Sequence, residues 1–98
     1  MKVFISVGMR GRSDEEIKND IARATKDIMN RWPDAEVVDN FFEHMPGDGG
    51  RLWCLGESVK MLGDCDVCYF VKGWRKYSGC QVEMEVCMQY GIDIMMGR

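Results

Sequence analysis

The chain has 98 residues, which bounds it to one domain near the small end of what buries a self-sufficient core. A net charge of −3 removes the basic field that nucleic-acid binding needs, no apolar run approaches membrane-spanning length, and nothing at the start reads as a signal peptide. Five cysteines, an odd number, fit a reducing cytoplasm better than a disulfide framework, and with one histidine they complete no metal site.

Lys2 to Val7 reads as a first strand, since Val3, Phe4 and Ile5 form an apolar run typical of a strand covered on both faces. The turn from Gly8 to Arg12 follows, and Ser13 then caps a helix with Glu16 at the capping-box position. Ile17, Ile21, Ala24 and Ile28 make its inward stripe, and Trp32-Pro33 ends it. Backbone N–H groups at that helix start, flanked by Arg10 and Arg12, form a weak candidate anion site; a solvated turn with surface arginines explains them equally well.

Ala35 to Val38 reads as a second strand. The connection from Asp39 to Gly50 is long for so small a domain and carries Phe41, Phe42 and His44. A phenylalanine here could stack a planar ligand or plug the core, and His44 is the single imidazole for acid–base work. A helix from Arg51 to Leu62 follows, with Leu52, Leu55, Val59 and Leu62 inward, and then a buried strand over Val67–Val71. Cys65 and Cys68 form a C-x-x-C that leads into this strand and does not open a helix. They are therefore expected to be small core residues on opposite sides of the sheet.

The last helix is expected to begin at Ser78 as N-cap, with Gln81 completing a capping box, and to stop at Gly91; Ile92–Met96 is the last strand. At 100° per residue Gln81, Glu85 and Gln89 share the wet face, while Cys80, Met84, Val86, Cys87 and Tyr90 share the other. Glu83 falls on the apolar side, where a carboxylate is costly unless it is paired or functional. The plainer reading is a border residue that reaches water past the helix end. The order β-α-β-α-β-α-β implies a single α/β domain: a three-layer Rossmann-like or flavodoxin-like sandwich with four parallel strands. Ser6, Gly8, Tyr77, Ser78 and Gly79 then lie at or near the C-terminal edge of the sheet, where such folds bind ligands.

The segment Ser78-Gly79-Cys80-Gln81-Val82-Glu83 resembles the S-G-[TC]-x-x-E element of the nucleoside 2-deoxyribosyltransferase-like superfamily. Leu62-Gly63-Asp64-Cys65-Asp66-Val67 resembles its strand-opening A-D-C-D-V-V pattern. The start from Val3 to Gly11 resembles the I-S-G-P-M-x-G opening of a small uncharacterised branch, here without the glycine-proline pair. The resemblance implies a glutamate nucleophile at Glu83, a place for Asp66 in the same pocket, and a deoxynucleoside or its monophosphate as ligand. A 5′-phosphate would suit the Ser78-Gly79 helix start with Arg10 or Arg12. It further implies homodimers or larger assemblies, and no cofactor is called for. Only Gly97 and Arg98 follow the last strand, so no C-terminal tail is expected to complete a neighbour's site, which favours hydrolysis or binding over transfer. The rival readings are a non-catalytic nucleotide-binding module and a small interaction protein.

Overall fold

Each strand of this protein is four or five residues long, and each crossover carries a helix, so parallel pairing follows from the chain order. The computed structural model describes residues 1–39 and 50–97; the expected ligand contacts at Phe41 and His44 lie outside the described residues. The elements are β1 (Lys2–Ser6), α1 (Asp14–Arg31), β2 (Glu36–Asp39), α2 (Gly50–Gly63), β3 (Val67–Phe70), α3 (Ser78–Tyr90) and β4 (Asp93–Met96). A 3₁₀ turn over Trp74–Lys76 precedes α3.

The sheet is wholly parallel in the order β2-β1-β3-β4. This is the flavodoxin-like order through its fourth strand, with the direction of strand addition reversing between β1 and β3. Side-chain alternation divides the core into two layers. Val3, Ile5, Val7, Val67 and Tyr69 pack against Ile17, Ala24 and Ile28 of α1. Phe4, Cys68 and Phe70 pack with Leu62 of α2 and Cys87 of α3 on the opposite face. Helices therefore cover both faces, as the sequence order requires.

The first capping box is present. Ser13 Oγ accepts from the Glu16 N–H at 3.2 Å, and Glu16 Oε1 accepts from the Ser13 N–H at 3.4 Å. Ser13→Ala is expected to cost about 1 kcal/mol, read as a lower denaturation midpoint with an unchanged slope.

Several expectations for the helices need correction. Leu52 is 81 % exposed, because it sits in the first turn of α2 before the helix reaches the sheet; only Leu62 of its expected stripe is fully buried. Tyr90 is 80 % exposed, because α3 ends there and Gly91 turns the chain away with φ 71°. Cys65 and Cys68 share one core layer, since Cys65 precedes the strand and strand alternation does not reach it. Cys65, Cys68, Cys80 and Cys87 are all buried free thiols. Trp74 packs on Phe70 with ring centroids 5.2 Å apart. No helix among the described residues is long and apolar enough to cross a membrane.

Candidate functional site

The C-terminal edge at the β1/β3 junction is built from two segments far apart in sequence. β1 ends at Ser6, whose backbone carbonyl accepts from the Val71 N–H at 3.0 Å and whose side chain turns towards α3. Glu83, in the second turn of α3, points back at it. Ser6 Oγ donates to Glu83 Oε1 at 2.7 Å, across 77 positions of chain, and both residues are almost wholly buried. The inward expectation for Glu83 therefore holds, with Glu85 exposed on the wet face beside Gln81 and Gln89.

Burial pushes the Glu83 carboxyl up to about 7, and the Ser6 hydroxyl pulls it partly back. A carboxylate that loses its water keeps its charge only if donors replace it, and a single hydroxyl replaces little. The donor in place is the Ser6 hydroxyl. Cys80 packs one turn earlier, also beside Ser6, and burial raises its thiol to about 11, so it is a neutral neighbour at physiological pH. Near neutrality, then, the site holds one group poised between acid and base.

Gly8 and Tyr77 come together as the topology requires. The Tyr77 ring lies so close over Gly8 that a Cβ there would fall 2.1 Å from its Cδ2. Gly8→Ala is accordingly expected to displace the ring and cost about 1–3 kcal/mol. A Gly8→Ala/Tyr77→Ala double variant should recover much of that loss in a denaturation cycle; strict additivity would show that the ring is not the cause.

Arg12, not Arg10, is the arginine built into this loop. Its Nη1 donates to the Gly8 carbonyl at 2.8 Å and its Nη2 to Asp20 Oδ2 at 2.5 Å, while Arg23 also holds Asp20. Arg10 is exposed on the turn. Asp20, buried on α1 by these two arginines, had no signal in the sequence beyond its place one residue from the apolar stripe.

One site assignment and one capping expectation fail on geometry. Asp66 lies just before β3, at the opposite end of the sheet from Glu83, and its Oδ2 accepts from the Lys2 N–H at 2.8 Å. It ties the N-terminal ends of β1 and β3 together and is not part of the Glu83 pocket. Ser78 is not the N-cap of α3. Tyr77 holds that position in an extended conformation, with no side-chain capping bond, and Ser78 is the first helical residue. Its expected partner Gln81 instead donates from Nε2 to the Arg75 carbonyl at 2.5 Å, tying α3 to the 3₁₀ turn. The cause is the Tyr77 ring: seated over Gly8, it fixes the residue before the helix as extended. Ser78 and Gly79 nevertheless start α3 at the same edge, and a Cβ on Gly79 would meet open space.

Two open grooves lie elsewhere on the described residues. One of about 480 Å³ runs between α1 and the end of β3, past Asp27 and Lys72, and one of about 540 Å³ lies beside β4. Neither is lined by Ser6 or Glu83. Among the described residues no group of three or more His, Cys, Asp or Glu side chains could hold a metal ion. The chain matches no family model, no curated protein and no solved structure.

Proposed function

We propose that this domain cleaves or transfers the N-glycosidic bond of a deoxynucleoside or deoxynucleoside monophosphate, with Glu83 as the nucleophile. One observation carries the reading. A buried carboxylate of raised pKa, with one hydroxyl donor, sits at the point of an open α/β sheet where ligands bind. The resemblance of Ser78–Glu83 to the deoxyribosyltransferase-like element supplies the reaction class.

In this reading the ionised Glu83 oxygen attacks C1′ as the C1′–N bond breaks, and the base leaves with the bonding pair and takes up a proton. Water then attacks C1′ of the glycosyl ester for hydrolysis, or a second base does so for transfer, and the carboxylate is restored. Ser6 holds the attacking oxygen in place. Tyr77, half-buried over Gly8, is the side chain that would shift to admit the sugar. The reaction needs no cofactor, and the cytoplasm is the compartment where such ligands and five reduced cysteines coexist.

A second reading has its own support. Glu83 is only 1 % exposed and already hydrogen-bonded, as a structural pair would be. In that case the domain is a nucleotide-binding module without turnover. Chromatography of free base released from deoxynucleosides and their monophosphates, run beside thermal-shift binding, separates the two. Release supports the first reading, and stabilisation without release supports the second. Neither signal would count against both and leave a small interaction protein.

A further inference from the structure

The buried layer between β1, β3 and α3 contains thiols that the glycosidic reading does not use. Cys68 of β3 and Cys80 and Cys87 of α3 are all buried within electrostatic reach of Glu83, and all are free. Cys68 and Cys87 hydrogen-bond to each other. Cys80 hydrogen-bonds instead to Ser6, the residue that holds Glu83. It lies one turn before Glu83, so both side chains leave the same face of α3 and meet the end of β1 together.

The direction of these bonds follows from counting protons. A serine hydroxyl has one proton to donate and two lone pairs with which to accept. Ser6 donates its proton to Glu83 Oε1 at 2.7 Å. With the carboxylate ionised, the bond between Ser6 and Cys80 must therefore run from the thiol to Ser6 Oγ. Burial keeps that thiol protonated at neutral pH, so the proton is there to give. The three groups form a chain from Cys80 through Ser6 to Glu83, and every member is almost wholly inaccessible to water. No cationic side chain among the described residues enters the balance at Glu83: burial raises its carboxyl, and Ser6 opposes the rise.

We infer that Cys80 is a positioning residue for Glu83: by donating to Ser6 it holds the serine proton on the carboxylate and keeps the anion aimed. A hydroxyl with a single partner can rotate, whereas one that accepts and donates at once is fixed. Accepting a hydrogen bond also strengthens the one it gives. The thiol thus favours ionised Glu83 from one group further away, without touching substrate. Its part in base release rests on the glycosidic reading; its effect on ionisation does not.

NMR titration of isotope-labelled glutamate carboxyls reads that ionisation directly, with the Glu83 signal assigned by its loss in Glu83→Gln. Cys80→Ala removes the donor, a weak one, and should raise the Glu83 midpoint by roughly half a pH unit. Cys80→Ser keeps a donor and should return the midpoint to the parental value or below. A packing role would show in stability alone, with serine worse than alanine in an apolar layer, and would leave the midpoint in place. In a Ser6→Ala background Cys80→Ala should shift nothing further, because its effect passes through the hydroxyl. The acid limb of the pH profile of base release should move with the midpoint in each variant. An unmoved midpoint in Cys80→Ala, a Cys80→Ser that tracks Cys80→Ala, or a shift that persists undiminished without Ser6 would each overturn the inference. A parent that shows these midpoints but releases no base would sink the glycosidic reading and leave the role of Cys80 standing.

Discussion

Glu83→Gln is expected to lower base release by two or more orders of magnitude, while Glu85→Gln leaves it at the parental rate. The two residues lie two positions apart on α3, yet Glu83 is buried against Ser6 and Glu85 faces water with Gln89 donating to its Oε1 at 2.9 Å. The glutamine amide keeps the volume and can still accept the Ser6 hydrogen bond. What it lacks is the negative charge that meets developing positive charge at C1′, and removing such a preorganised group costs roughly 10²–10³ in rate. Chromatography of released base at matched enzyme concentrations checks both variants. Equal rates in all three proteins would remove Glu83 from the chemistry.

The same carboxylate should make the fold less stable as pH rises. Glu83 ionises near 7 in the folded chain, against an ordinary value of 4.5. A raised acid means that the folded state holds its proton longer than the unfolded state. Below pH 4.5 both states are protonated and nothing is lost. Between 4.5 and 7 the unfolded chain ionises first and is favoured, and above 7 the loss is complete. A gap of that size corresponds to roughly 3 kcal/mol. Urea denaturation between pH 4.5 and 8 should therefore show the parent losing about that much relative to Glu83→Gln, which carries no titrating group there. Ser6→Ala removes the donor that opposes the shift, so it should move the loss to higher pH. Parallel pH curves for parent and Glu83→Gln would mean that Glu83 ionises as an ordinary carboxyl.

The fold was readable because each of its signals is local. Apolar runs mark β1 and β3, Ser13 with Glu16 marks the start of α1, and Gly91 marks the end of α3. The inward face of α3 was readable as well, since the 100° step depends on the helix being regular and not on where it begins. What failed depends on contacts between distant segments. The Ser6–Glu83 bond joins residues 77 positions apart, and no periodicity links them. Ser78 is a good capping residue by type, but the packing of Tyr77 on Gly8 sets the helix start one residue earlier than that signal implies. Asp66 shows the reverse. Its position just before a strand already places it at the N-terminal edge in a parallel sheet, and only the motif resemblance drew it towards the site.

The most direct measurement is the mass of the peptide containing Glu83, taken after brief incubation with a deoxynucleoside monophosphate and a rapid acid quench. The expected result is a deoxyribosyl phosphate ester on Glu83, absent from Glu83→Gln and present in Glu85→Gln. Base released without any adduct at Glu83, and released as fast by Glu83→Gln, would contradict the assignment of Glu83 as the nucleophile.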